Sequence, residues 1–267
     1  MPYVVRQALY VLVLLAFVRG IANADDHPVP SYPDMLLEDA RHVLSSPARW
    51  QKTEWKNLGY ATLGIVGIGM IADRPVMDWM RRQPRDNRFM LRVERFGAEY
   101  AVYTVAGFYL AGLAGNQNAS AVAQDAIAAS LIASGIITPA LKFVTGRARP
   151  RENLGTATFH PLNLGYSTNS SFPSGHTTEA FALASVIANH YEETWVTCAS
   201  YSIAGLVGLA RMYHDAHFAS DVAAGALIGT LVGKSVVRHN QSLRTGTIVV
   251  TPEISTSMAG FRLTRFF

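Results

Sequence analysis

Apolar positions along this chain gather into long stretches broken by short polar clusters, and their spacing inside the stretches is helical rather than alternating. Six stretches have helix length: about 54–72, 88–115, 119–145, 177–191, 195–212 and 219–237. A shorter pattern, "DMLLEDARHVLSSPARW", aligns Met35, Leu36, Ala40, Val43 and Leu44 on one face and stops at Pro47. Small residues recur, as in "TLGIVGIGMIA" and "DVAAGALIGTLVG", so these helices can approach closely in water or in lipid. The pattern predicts an all-α bundle of about six core helices.

Both termini depart from it. "MPYVVR" supplies a basic start, "QALYVLVLLAFV" an apolar stretch and "IANA" a small-residue ending, which together read as a signal peptide over 1–24. An uncleaved membrane anchor is the competing reading. Residues 25–53 then form a proline-rich tether and a short helix, 54–240 the helical domain, and 241–267 an appendage. In that appendage β-branched runs and the alternation of Phe261, Leu263, Arg265 and Phe267 predict a β-hairpin.

Composition narrows the classes. Apolar residues make up 49% of the chain and charged ones 16%, low for a soluble protein without forcing many membrane spans. The net charge of +4 falls to +2 if cleavage after Ala24 removes Arg6 and Arg19. The arginines are scattered, so no nucleic-acid surface is indicated. Among the charge-free runs only 100–124 comfortably reaches the ~20 residues of a span, and Asn116 to Asn118 interrupt it. The reading therefore favours a secreted, periplasmic bundle, with membrane association open. Cys198, the single cysteine, is expected to be a small buried hydrophobe.

Three polar clusters carry candidate chemistry. "KFVTGRARP" places Lys142 and Arg149 around a helix end that Gly146 and Pro150 unwind. "PSGH" puts Ser174, Gly175 and His176 where a helix opens, with unpaired amides and a positive dipole end that suit an anion. "ARMYHDAHFASD" sets Arg211 before His217, with Asp221 four residues further on to hold one imidazole nitrogen. Each has an ordinary reading alone: a solvated helix end, a loop with its N-cap, a capping histidine beside an aspartate.

Together they resemble the type 2 phosphatidic acid phosphatase and vanadium haloperoxidase superfamily, which includes bacterial class A acid phosphatases. Its pattern is K-x6-R-P, then P-S-G-H, then S-R-x5-H-x3-D. All internal spacings are kept here over about residues 95 to 237, and only Ala210 departs, standing where the family has serine. The resemblance implies a phosphatase of phosphomonoesters or diphosphates. In it His217 is the nucleophile that becomes a phosphohistidine, Asp221 orients it, and His176 is the acid and then the base. Lys142, Arg149, Arg211, Ser174 and Gly175 bind the phosphate. No metal or other cofactor is implied, although vanadate fits the same pocket. His214 and Asp215 are expected at the pocket mouth, and Tyr166, Tyr213 and Phe218 as apolar walls. Substrates are lipid phosphates or small organic phosphates. The alternatives are a vanadium-dependent haloperoxidase, a silent phosphate-headgroup binder and, on the tail alone, an envelope structural protein.

Overall fold

The computed structural model describes residues 32–84, 87–162, 168–244, 248–255 and 258–265. The signal peptide expected at 1–24, most of the tether and Tyr166 lie outside these residues.

In chain order the helices are α1 (Tyr32–Leu44), α2 (Ser46–Arg49), α3 (Lys52–Ile71), α4 (Asp73–Arg81) and α5 (Arg88–Val93). A 3-10 turn (Glu94–Gly97) leads into α6 (Glu99–Leu113). Then come α7 (Gln117–Ser130), a π-helical segment (Leu131–Ile137) and α8 (Thr138–Thr145), followed by α9 (Gly175–His190), α10 (Thr194–Tyr213) and α11 (Ala219–Arg244). The architecture is all-helical, as the periodicity predicts. In the tail, β1 (Ile248–Ser255) runs antiparallel to β2 (Met258–Arg265), with Ile248 opposite Arg265.

The core lies where α9 packs against α7 and α11, and Val122, Ala126, Ala182, Val186, Val232 and Val236 fill it. Contact between α9 and α11 is close because glycine lines the facing stripe. A Cβ at Gly229 would sit 2.3 Å from the Thr178 carbonyl oxygen, so no side chain fits there. A second cluster joins α5, α9 and α10 through Val93, Ala180, Ala184 and Val207.

Two expectations need correction. The stretch 88–115 is not one helix: it breaks at Glu94–Gly97, where Gly97 lies against the His176 backbone and a Cβ would come within 2.5 Å of that carbonyl. The stretch 119–145 is continuous, as expected, but widens at Leu131–Ile137. The Thr138 amide reaches back five residues to Ala133, and this slack accommodates Pro139, which has no amide to donate. Cys198 is exposed rather than buried, because it falls on the outer face of α10. The helix α4 escaped the periodic reading altogether.

Candidate active site

One end of the bundle collects all three motifs. Helix α8 carries Lys142 near its C-terminus, and the chain leaves it at Gly146 towards Arg147 and Arg149. Helix α9 begins at Gly175, behind Ser174. Arg211 lies in the last turn of α10, while His217 precedes α11 and Asp221 sits in its first turn.

The serine pair before the second motif joins these pieces. Ser170 accepts from Lys142 Nζ at its carbonyl and from Arg149 Nη2 at its hydroxyl, the latter at 2.9 Å. Arg211 Nη1 donates to Glu94 at 2.6 Å. Burial lowers the Arg149 pKa, and Arg151 and Arg211 push it further, to about 10, which leaves it charged at neutral pH. Arg149 Nε is buried with no acceptor, so this donor suits an anion's oxygen. Arg149 and Arg211 both act electrostatically on His217, as does Lys142, so three cationic side chains bear on one imidazole.

His217 is 3% exposed. Its Nδ1 lies 2.7 Å from the Ser171 carbonyl oxygen and 3.8 Å from Asp221 Oδ2. The expected direct bond to Asp221 is thus not made. Asp221 is saturated by other donors: Arg147 Nη1 at 2.6 Å, Ser171 Oγ at 2.5 Å and the Phe218 amide at 2.8 Å. A carbonyl accepts but never donates, so Nδ1 carries the proton and Nε2 keeps its lone pair. Burial, then the charges of Lys142, Arg211 and Arg149, hold the His217 pKa well below the ordinary imidazole value, and the Ser171 bond partly opposes them. The ring is a neutral base with one nitrogen fixed.

Behind it stands a network the motifs did not announce. Arg147 is buried, stacks 4.3 Å over the Phe218 ring, and spans Asp221 and Asp73, the latter at 2.6 Å. Asp73, from the start of α4, also accepts from the Ser220 amide at 2.8 Å and hydroxyl at 2.7 Å. Arg147 had a visible signal, being a second arginine inside the first motif. Ser170 and Ser171 precede the second, separated from it by Phe172 alone. Asp73 and Glu94 had none, since nothing near them in sequence belongs to a motif.

The PSGH corner is built as a helix start. Thr178 N closes the first turn onto the Ser174 carbonyl at 2.9 Å, which leaves the amides of Gly175, His176 and Thr177 ahead of the first closing bond. Ser174 gives its own amide to the Asp221 carbonyl at 3.0 Å, and its buried hydroxyl accepts from Thr177 at 2.8 Å. A Cβ on Gly175 would lie 4.0 Å from Lys142 Cε, so the corner sits beside that side chain. His176 is half-buried beside Gly97. His214 Nε2 stands 3.8 Å from Glu94, and Asp215 pairs with Arg81 at 3.2 Å, so both serve the rim. Among the described residues no group of three or more metal-ligating side chains occurs.

Against this end lies an apolar groove of about 810 Å³ between α3, α8 and α11. Leu58, Ile65 and Met70 line it along α3, and Thr145, Arg147, Phe172 and Ser220 form its wall towards the site.

Residues 126–244 match the family described as the PAP2 superfamily. A lipid A 1-phosphatase of Porphyromonas gingivalis is 38% identical over 84 residues, 31% of this chain and 19% of that protein. A lipid A 1-phosphatase of Rhizobium johnstonii is 28% identical over 68% of this chain and 82% of that protein. The chain thus spans about a fifth of the first relative's length and most of the second's. The crystal structure of the first transmembrane PAP2 type phosphatidylglycerolphosphate phosphatase from Bacillus subtilis superposes with a TM-score of 0.50 and 22% identity, over 70% of this chain and 94% of that one. The segment that matches the PAP2 superfamily, 126–244, contains all three motifs and the cations whose charges act on His217.

Proposed function

We propose that the chain is a phosphatase of lipid phosphates that works through a phosphohistidine without a metal. The observation that carries this reading is the convergence of Lys142, Arg149 and Arg211 on the neutral, Nδ1-anchored ring of His217. Phosphoryl transfer needs charge neutralisation on the equatorial oxygens and an in-line nucleophile, and side-chain cations supply the first. The lone pair of His217 Nε2 attacks phosphorus. The P–N bond forms as the bond to the leaving oxygen breaks, and His176 gives that oxygen its proton. His176 then takes a proton from water, whose oxygen attacks phosphorus and releases His217.

The substrate class follows from what surrounds the site. The groove along α3 accepts hydrocarbon, and from Leu58 to Met70 it runs roughly 18 Å by the helical rise, the scale of an acyl chain. The relatives' names make lipid A 1-phosphate the first substrate to try.

We read the bundle as integral to a membrane rather than secreted. None of the 20 residues of α3 is buried, and Tyr60 and Met70 are 70% and 82% exposed. Leu110, Leu113, Trp195 and Leu231 face outward from α6, α10 and α11. Gln117–Thr145 and Ala219–Arg244 are long and apolar enough to cross a bilayer. At ~1.5 Å per residue the first exceeds the ~30 Å hydrocarbon core. We place the site at the extracytoplasmic face, in keeping with the expected leader.

The test is phosphate release, in detergent micelles with excess EDTA, from lipid A 1-phosphate, phosphatidylglycerophosphate and p-nitrophenyl phosphate. Release from the lipids that a His217→Ala variant loses supports the reading. Absence of release from every substrate, or full activity in the variant, overturns it.

A further inference from the structure

We propose that Ser171 is the positioning residue of His217: its carbonyl fixes the ring tautomer, and its hydroxyl keeps Asp221 off the ring. This rests on the phosphatase reading for its catalytic meaning, though not for its geometry.

Ser171 is fully buried and all three of its polar groups are engaged. Its amide donates to the Arg147 carbonyl at 2.9 Å, its carbonyl receives His217 Nδ1 at 2.7 Å, and its hydroxyl donates to Asp221 Oδ2 at 2.5 Å. The carboxylate four residues after the histidine therefore acts one step removed. Asp221 anchors Ser171, Arg147 anchors Asp221, and Asp73 anchors Arg147. Asp73 lies outside the family segment, so the far end of this chain of contacts is supplied by α4.

The arrangement has a chemical consequence. A carbonyl fixes the same tautomer as a carboxylate would but binds the N–H less strongly and stabilises the imidazolium less. The ring is then kept as a neutral nucleophile among Lys142 of α8, Arg149 of the following loop and Arg211 of α10. The other ionisable groups on the elements around it are His176 in the first turn of α9, Asp221 of α11 with Arg147 and Asp73 behind it, Glu94 and His214 beside Arg211, and Arg151 and Asp215 on the loops.

The experiment is ¹⁵N NMR of the full chain in detergent with labelled histidine, the His217 signals being identified by their loss in His217→Gln. In the unsubstituted protein we expect the tautomer protonated at Nδ1; protonation at Nε2 overturns the proposal. Ser171→Ala keeps the carbonyl but frees Asp221 Oδ2 to accept from Nδ1. The titration midpoint of His217 should then rise, while kcat for p-nitrophenyl phosphate falls about tenfold and KM stays within twofold. An unchanged midpoint overturns the proposal, because a merely structural serine would alter thermal stability and leave the midpoint in place. Ser171→Cys, of similar volume and a weaker donor, should move the midpoint the same way by less. If neither variant accumulates, protonation of the wild-type ring at Nε2 still overturns the proposal. All NMR outcomes stand whether or not phosphate is released, so failure here is distinguishable from failure of the phosphatase reading.

Discussion

The two ends of the bundle each bury an aspartate among charged partners, and they do so to different effect. At the site end Asp221 belongs to a group rich in cations, and one buried donor there, Arg149 Nε, has no hydrogen-bond acceptor. At the other end Asp125 takes His190 Nε2 at 2.7 Å, Asn240 Nδ2 at 2.9 Å and Arg244 Nη2 at 2.7 Å, tying α7, α9 and α11 together. Asn240 also donates to Asp39 of α1 at 3.0 Å, and two acceptors there, Asp39 Oδ1 and Asn240 Oδ1, have no donor. An unmatched buried donor among cations is built for an anion. Charges that pair off among three helices hold the fold together.

That contrast predicts which property each end controls. His217→Ala removes the nucleophile and should lower kcat by about 10⁴-fold, ~5.5 kcal/mol of barrier, with an unchanged melting curve. Asp125→Asn should do the reverse. With Arg244 and His190 deprived of their carboxylate, stability falls by about 3 kcal/mol, read by denaturation in detergent, and kcat at permissive temperature stays within twofold. A large kcat loss in Asp125→Asn would show the ends to be coupled and the contrast wrong. Arg149→Ala comes next: removing one of three cations should cost about 10²-fold in kcat/KM, ~2.7 kcal/mol.

How much of this was legible in the chain depends on distance along it. That Lys142, Arg149 and Arg211 act on His217 was readable because each motif is local and the helices flanking it are periodic. The partner of His217 was misread for a local reason. An i, i+4 pair shares a face only inside a helix, and α11 starts at Ala219, after the histidine. The ring therefore lies beside the Ser171 carbonyl instead of over Asp221. Asp73 and Glu94 were invisible because their partners, Arg147 and Arg211, lie 74 and 117 residues away, and pairing over such separations leaves no spacing to read. The groove was equally hidden, since an apolar helix that buries nothing has the same composition as one that buries everything.

The smallest effect tests the far end most directly. Burial raises the Asp39 pKa to about 6, with the Asn240 hydrogen bond opposing and the Asp125 charge assisting. Its folded value lies above the unfolded value of ~3.9, so the folded state holds the extra proton between the two. This contribution to stability is present in full below pH ~4 and is lost as pH rises through about 6. Once ionised, Asp39 keeps its bond from Asn240 Nδ2 but leaves Oδ1 without a donor. Asn at this position carries no charge at any pH, still accepts from Asn240, and brings an N–H of its own. Asp39→Asn should therefore stabilise the protein by about 1 kcal/mol at pH 8 and by nothing at pH 4, with kcat unchanged at both. Equal gains at the two pH values would mean that ionisation of Asp39 is not what limits this end.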